Sequence, residues 1–259
     1  MYTVTKFPHG AFSWVDCVST AAEKAKAFYM DLFGWSKIEL PMGNGATYTM
    51  FQLQGQNVAA LSPMPPEVQA MGIPSHWNNY VTVDDVDALA SVVTDNGGTI
   101  VYGPMDVFDN GRMLQIQDPT GAALGLWQAR NHIGAGLVNT VGALCWNELN
   151  TPDAEAAKTF YARLFGWEFA SDGQYIHILN RGRGNGGMLQ MNTGMPPCWL
   201  PYFHIADIDA GTARTKELGG NVVVPRRELP DGSIWSVVAD SAGAHFYLIQ
   251  LSQAEPWQD

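Results

Sequence analysis

The chain has 259 residues, of which 46% are apolar and 15% charged, so it contains enough apolar sequence to bury a full core. Its net charge of -11 argues against nucleic-acid and anionic-membrane partners, because phosphate groups repel such a chain. Three scattered cysteines predict neither a disulfide framework nor a thiolate zinc site. The sequence shows no secretion signal and no apolar run long enough to span a membrane, so we expect a cytoplasmic protein.

The dominant signal is an internal repeat. FYMDLFGW at Phe28–Trp35 recurs as FYARLFGW at Phe160–Trp167. Further matches follow in the same order: Trp14 with Trp146, Met64–Pro66 with Met195–Pro197, Trp77 with Trp199, Asp85–Asp87 with Asp207–Asp209, Gly97–Gly98 with Gly219–Gly220, and Asp118–Gly121 with Asp240–Gly243. We therefore predict two modules, at residues 1–130 and 141–259, joined by a linker rich in Gly and Asn at about residues 131–140.

Strand and helix patterns alternate in the same way in both copies. In chain order, the main elements predicted for the first copy are a strand at Ala11–Val18, a helix at Ala21–Leu32, strands at Trp35–Leu40, Ala46–Leu53, Gln56–Leu61 and Asn78–Val83, and a helix at Val86–Asn96. Those of the second copy include a strand at Gly142–Leu149, a helix at Asp153–Leu164, a strand at Pro201–Ile205 and a helix at Ile208–Leu218. Hairpin turns join the later strands, so each copy is predicted to contain two βαβββ units.

Local signals predict how some of these elements begin. Thr20 with Glu23 forms a candidate capping box for the first helix, and Thr151 is the candidate N-cap of its counterpart. The glycine-rich run at residues 182–187 precedes a strand and leads into no helix. It is therefore predicted to be a hairpin loop and not a phosphate-binding loop.

The βαβββ order, the FY-x-x-LFGW helix end, the Asp-Asp-Val-Asp helix start and the DPTG turn together resemble the vicinal-oxygen-chelate superfamily. That superfamily includes glyoxalases, bleomycin-resistance proteins and extradiol dioxygenases. The resemblance covers nearly the whole chain, once per copy, and is similar to the tandem glyoxalase-like proteins of actinobacteria. It implies an α+β fold in which the paired βαβββ motifs of each module form a U-shaped mixed sheet around a pocket. Because this scaffold carries many unrelated reactions, the resemblance leaves the function open.

The resemblance also implies where a metal ion would bind. In metal-dependent members, His, Gln or Glu side chains from three strands hold a divalent ion, which acts as a Lewis acid. Carried over to this sequence, the positions fall on Trp14, Asn78 and Gly125 in the first copy and on Trp146, Leu200 and Tyr247 in the second. None of these residues has a carboxylate or an imidazole side chain. We therefore predict no metal site on the family plan, and no cofactor.

Aromatic residues stand on the predicted strands instead. Strand alternation places Trp14 with Asp16, and Trp146 with Glu148, on one face of their strands. Tryptophan and tyrosine walls with a few polar groups suit planar, partly apolar ligands, whereas the alternative for each aromatic is ordinary core packing. The predicted ligand-binding residues are Trp14, Asp16, Tyr80, Trp127, Trp146, His177, Tyr202 and His245.

A carboxylate beside a tryptophan on an inner strand is costly to bury unless it is paired or used. With a raised pKa, Glu148 is a candidate general base, and Glu148, His204 and Tyr247 are the candidate catalytic residues. Glu148 with His204 and His245 is also the one constellation that offers a metal site off the family plan. The alternative for Glu148 is a structural carboxylate that is hydrogen-bonded to backbone at a strand end.

The sequence favours a binding protein that takes a small planar or aromatic metabolite into a metal-free pocket, as resistance proteins of this fold do. The alternative is a metal-independent or atypically metallated lyase, isomerase or glyoxalase-type enzyme with its site in the second module. A third hypothesis is a purely structural protein whose pockets are filled by their own side chains. A small molecule is the expected partner. A monomer with paired modules is favoured over a homodimer, because two modules in one chain can pair internally.

Overall fold

The computed structural model describes residues 3–42, 45–191 and 196–253. The first copy contains β1 (Phe12–Ser19), α1 (Ala22–Phe33), β2 (Ser36–Pro41), β3 (Thr47–Leu53), β4 (Gln56–Pro63), α2 (Pro66–Ala70), β5 (His76–Thr82), α3 (Val86–Asp95), β6 (Thr99–Val107), β7 (Gly111–Gln117) and β8 (Ala123–Ala129). The second copy contains β9 (Leu144–Thr151), α4 (Ala154–Phe165), β10 (Glu168–Asp172), β11 (Tyr175–Asn180), β12 (Arg183–Gln190), β13 (Cys198–His204), α5 (Ile208–Glu217), β14 (Asn221–Glu228), β15 (Ile234–Ala239) and β16 (His245–Gln250). The repeat residue Met195 lies outside the described residues.

Each copy forms one eight-stranded mixed sheet, in the orders β2-β3-β4-β1-β5-β8-β7-β6 and β10-β11-β12-β9-β13-β16-β15-β14. In the first sheet β1 pairs in parallel with β4 and antiparallel with β5, and β5 pairs in parallel with β8. The second sheet repeats these pairings. The α+β fold with two βαβββ units per module is thus confirmed. No helix in the described part of the chain combines the length and the apolar character that crossing a bilayer requires.

The structure corrects three local predictions. Ala21, not Thr20, precedes α1 and makes no side-chain cap, while the Thr20 hydroxyl bonds that of Ser75. The N-cap of α4 is Asp153, whose carboxylate accepts from the Ala156 amide at 3.0 Å. The run at residues 182–187 lies mostly within β12, so it is not a hairpin loop, and the first-copy insertion holds the short helix α2, which the sequence did not predict.

The two modules share their cores. Alternation along β1 turns Val15 and Cys17 towards a helix-covered core that also contains Phe33 of α1 and Phe203 of the second sheet. The rings of Phe33 and Phe203 lie 5.1 Å apart. A second shared core contains residues of the first sheet together with α4. Apolar burial across these contacts is what pairs the modules.

Polar contacts inside these cores explain why the repeated motifs are present. The hydroxyl of Tyr29 accepts a hydrogen bond from the indole of Trp77 at 3.0 Å and donates to Asp240 Oδ2 at 2.8 Å. Asp240 belongs to the turn before β16, so the contact crosses between modules. The same contacts recur with the modules exchanged: the Trp199 indole donates to the Tyr161 hydroxyl at 2.9 Å, and that hydroxyl donates to Asp118 Oδ2 at 3.0 Å. The tyrosine of each FY-x-x-LFGW helix therefore contacts the aspartate turn of the other module, so both motifs have a structural role.

Candidate functional site

Each sheet has an inner face, the side opposite its helices. The second inner face carries Trp146, Glu148 and Tyr202, and its centre is the Glu148 carboxylate. Glu148 is 1% exposed, yet the hydroxyls of Tyr202 and Tyr247 donate to its Oε2 and Oε1 atoms, each at 2.7 Å. Hydrogen bonds to the charged form replace water around the carboxylate, which is why the sheet centre tolerates it.

A third tyrosine, Tyr175 of β11, reaches the same carboxylate. Its hydroxyl is hydrogen-bonded to Glu148 and accepts from the indole N–H of Trp146 at 2.9 Å. This approach requires glycine at position 187, because a Cβ there would overlap the Tyr175 hydroxyl. Gly187 of β12 therefore makes room for a polar side chain on the second inner face.

Burial determines which of these groups carry protons. Desolvation raises the pKa of Glu148, and the hydrogen bonds from the tyrosines oppose that rise. The pKa values of Tyr202 and Tyr247 are also raised, first by burial and then by the negative charge of Glu148. The tyrosine hydroxyls therefore stay protonated at neutral pH and donate hydrogen bonds to the carboxylate.

The two tyrosines opposite Glu148 stack face to face. The rings of Tyr202 and Tyr247 stack with their centroids 3.9 Å apart and their planes 4° from parallel, because these residues are paired across β13 and β16. Asn150 of β9 is hydrogen-bonded to Tyr247 through its side chain and is 8% exposed. Its Oδ1 atom is buried and finds no hydrogen-bond partner among the residues described. Such an acceptor is available to a ligand.

Half-buried side chains surround this cluster, including Trp146, Tyr175, His177, Cys198, Leu200 and Trp235. The Trp235 ring lies 5.5 Å from that of Tyr247, and the His177 ring lies 5.0 Å from that of Tyr175. Burial and the charge of Glu148 raise the pKa of Cys198 to about 11. Its thiol therefore stays protonated near neutral pH and is a poor nucleophile.

The first inner face follows the same plan around Asp16. The hydroxyls of Tyr48 and Tyr80 donate to Asp16 Oδ2 at 3.1 and 3.0 Å, and the Asn78 amide donates to Oδ1 at 2.9 Å. The Tyr48 hydroxyl accepts from the indole of Trp14 at 3.1 Å. Burial raises the pKa of Asp16 against these hydrogen bonds, as it does for the second carboxylate.

Side chains of the chain itself fill the first inner face. Gly125 stands where the second module has a tyrosine, and a Cβ there would overlap the ring of Tyr80. The ring of His132, which follows β8, lies edge-on to that of Trp14 at 4.6 Å, and Trp14 is only 4% exposed. Burial lowers the pKa of His132 to about 4, so this ring packs in its neutral form. The second inner face is therefore the better candidate for a ligand site.

The structure gathers most of the predicted site residues into two clusters. Trp14, Asp16, Tyr80 and Trp127 lie on the first inner face; Trp146, Glu148, His177, Tyr202 and Tyr247 lie on the second. His245 is exposed, and His204 is half-buried with an unpartnered Nδ1. Within residues 3–42, 45–191 and 196–253, no hydrogen bond joins either histidine to Glu148.

These residues do not fit the divalent ion of the resembled superfamily. The positions inferred for its ligands in the second module carry Trp146, Leu200 and Tyr247, and the tyrosine hydroxyl donates to Glu148. Over the described ranges, no group of three or more His, Cys, Asp or Glu side chains is placed to hold a metal. The sequence-based set of Glu148, His204 and His245 is therefore wrong as a metal site.

Sequence reasoning missed Tyr48, Tyr175, Asn150 and Trp235. The two tyrosines take equivalent places, but the connection that precedes β11 is shorter than that before β3, so matching at a constant offset passed over the pair. Asn150 did carry a signal, since it alternates with Trp146 and Glu148 along β9.

A groove of about 410 Å³ lies elsewhere on the surface, between α1 and the end of α5. Its lining includes Lys24, Asp31 and Leu218, and it contains no residue of either carboxylate cluster. Buried polar groups with shifted pKa values are concentrated on the inner faces, so we take these faces, and not the groove, as the candidate functional sites.

Comparison with known proteins gives a consistent family. The model of the glyoxalase/bleomycin resistance protein/dioxygenase superfamily matches residues 12–126, and a glyoxalase-like domain model matches residues 146–249. CFP32 of Mycobacterium tuberculosis, named as a candidate glyoxylase, is 40% identical over 95% of this chain and 97% of its own. The anthracycline biosynthesis protein DnrV of Streptomyces peucetius is 31% identical over 98% of both chains.

Solved structures show the same fold at low sequence identity. A Mn(II)-bound glyoxalase from Novosphingobium aromaticivorans is 15% identical with a TM-score of 0.66, over 95% of this chain and 83% of that one. The 2,3-dioxygenase LapB from Pseudomonas sp. KL28 is 12% identical with a TM-score of 0.66, over 97% and 96% of the two chains.

Proposed function

Because the chain belongs to the glyoxalase/bleomycin resistance protein/dioxygenase superfamily, we propose that it uses the pocket side of this fold to bind a small planar or aromatic metabolite, without a metal ion. The observation that carries the proposal is the Glu148 cluster, in which hydroxyls of Tyr175, Tyr202 and Tyr247 surround a buried carboxylate. Aromatic walls with a few convergent polar groups suit planar small molecules. The name of the Streptomyces relative, an anthracycline biosynthesis protein, supports a small-molecule ligand.

The ligand site of this proposal is the second inner face. Half-buried Trp146 and Trp235 offer ring surfaces there, beside the stacked pair of Tyr202 and Tyr247. The first inner face, by contrast, is occupied by the His132 ring packed on Trp14. The first module then serves to complete the shared cores, in agreement with the hypothesis of self-filled pockets for that half of the chain.

Tryptophan fluorescence with a panel of planar aromatic compounds tests this function. We expect saturable quenching by a subset of the panel, and the same affinity before and after dialysis against a chelator. Trp146→Phe is expected to remove most of the quenching, whereas the matched substitution Trp14→Phe in the first module should retain it. Both variants keep an aromatic ring, so the comparison isolates the indole that faces the proposed site.

Three results would contradict the proposal. Quenching that disappears after chelation and returns with a divalent ion would show that a metal takes part in binding. Quenching that is lost in Trp14→Phe and kept in Trp146→Phe would place the site in the first module. The absence of quenching by every compound would favour the purely structural hypothesis.

A second candidate function is a metal-independent lyase, isomerase or glyoxalase-type enzyme, in which Glu148 acts as a general base. The raised pKa of Glu148 favours this function, and so does the adjacent Tyr247 hydroxyl, which donates a hydrogen bond to Glu148 at 2.7 Å. The candidate glyoxylase name of the mycobacterial relative points the same way. An NMR assay in D2O separates the two functions. It follows the exchange of the C–H proton next to the carbonyl group of 2-oxoaldehydes for deuterium. Exchange catalysed by the wild-type chain and abolished by Glu148→Gln would establish the enzyme.

A further inference from the structure

The Glu148 carboxylate lacks a cationic partner. Its hydrogen-bond donors are the neutral hydroxyls of Tyr175, Tyr202 and Tyr247, and no basic side chain contributes to the shift of its pKa. No ion pair in the described part of the chain includes it. Buried carboxylates are ordinarily paired with a cation, and Glu148 has no such partner among the described residues.

The polar groups around this carboxylate are arranged as acceptors. The hydroxyl hydrogens of Tyr202 and Tyr247 are used on Glu148, so neither hydroxyl group has a hydrogen left to offer a ligand. The Asn150 side chain is bonded to Tyr247, while its Oδ1 acceptor has no partner in the residues described. Asn150 is more than nine-tenths buried and lies on the same side of β9 as Glu148. A molecule that satisfies the Asn150 Oδ1 acceptor must itself donate a hydrogen bond.

Aromatic rings complete a site suited to positive charge. The rings of Tyr202 and Tyr247 stack on each other beside the carboxylate, Trp235 lies 5.5 Å from Tyr247, and Trp146 is half-buried nearby. Cations bind the faces of such rings, and a desolvated setting strengthens that attraction. The net charge of -11 on the whole chain adds a favourable long-range field for a cation.

We propose that the second inner face recognises a protonated amine carried on a planar apolar body. The ammonium group donates a hydrogen bond to the unpartnered Asn150 Oδ1, while its charge compensates Glu148. The planar body packs on the half-buried Trp146 and Trp235. This inference rests on the proposed binding function and specifies the chemical class of its ligand.

Three probes of one shape test the inference: 2-naphthylmethylammonium, 2-naphthylmethanol and 2-naphthoate, each titrated calorimetrically into the full chain at pH 7. We expect the ammonium probe to bind at least about tenfold more tightly than the alcohol, and the carboxylate probe to bind most weakly. Glu148→Gln removes the charge and keeps an acceptor, so it should reduce the preference for the ammonium probe to within about threefold. Glu168→Gln makes the same chemical change at an exposed position of β10 and should keep the wild-type preference.

The outcomes separate this inference from the function on which it rests. If the alcohol or the carboxylate binds as tightly as the ammonium probe, the second inner face still takes planar molecules and the cation inference is wrong. Equal preference in Glu148→Gln and in the wild-type chain would also overturn it. If none of the three probes binds, the inference fails, whereas the proposed binding function fails only if the whole fluorescence panel is also without effect. Should Glu148→Gln not fold, the wild-type ranking of the probes alone decides the question.

Discussion

Removal of a single oxygen atom, in Tyr161→Phe, tests the contact that pairs the modules. The Tyr161 hydroxyl is fully buried, accepts from Trp199 at 2.9 Å and donates to Asp118 Oδ2 at 3.0 Å. Without it, a buried indole N–H and a buried carboxylate oxygen each lose a hydrogen bond. Each unsatisfied buried group costs about 1–3 kcal/mol, so the free energy of unfolding should fall by about 2–6 kcal/mol.

Urea and thermal unfolding, followed by circular dichroism, measure this change. For a chain of this size the loss corresponds to a melting temperature lower by about 4–24 °C. Tyr29→Phe removes the mirror contact and should cost a similar amount, whereas Tyr102→Phe, at a position 54% exposed, should shift the free energy by less than about 0.5 kcal/mol. If Tyr161→Phe were as stable as Tyr102→Phe, the assignment of the repeated motif to module pairing would be refuted.

Two further predictions concern the inner faces. Gly187→Ala should weaken ligand binding by about tenfold or more, because its Cβ displaces the Tyr175 hydroxyl from Glu148. The control Gly184→Ala should bind normally, since its Cβ only touches the Trp146 ring at 3.5 Å. Equal affinities of the two variants would contradict this geometry. The lowered pKa of His132 means that the unfolded chain takes up a proton first, so stability through this group is lost as pH falls from 6.5 to about 4. His132→Phe should lessen the fall in melting temperature over that range, and an unchanged pH profile would show that His132 is not buried in its neutral form.

The two copies have diverged at the positions that matter most for a ligand. Gly125 and Tyr247 are equivalent in the two sheets, since each pairs with the inner-face tyrosine of the neighbouring strand. In the first module the absent side chain leaves space that the Tyr80 ring occupies. In the second module the Tyr247 ring stacks on the Tyr202 ring beside Glu148. The asymmetry explains how a duplicated fold can assign structural and binding roles to different halves.

The sequence alone determined the tandem organisation and the face on which the carboxylates lie. Repeated motifs at matching spacing predicted two modules of the same architecture, and the two eight-stranded sheets confirm that fold. Strand alternation is a local property of the backbone, so it correctly placed Trp14 with Asp16 and Trp146 with Glu148. These inferences succeed because they depend on neighbours in the chain.

Only the tertiary structure decided which side chains meet. Tyr175 and Asn150 join Glu148 because strand register and a glycine at position 187 bring them there, and the sequence carries no direct record of register. His204 and His245 share strands with the cluster but acquire no hydrogen bond to Glu148 in the described residues. The pairing of modules likewise depends on contacts between residues far apart in the chain, which packing of the shared cores selects and local periodicity does not encode.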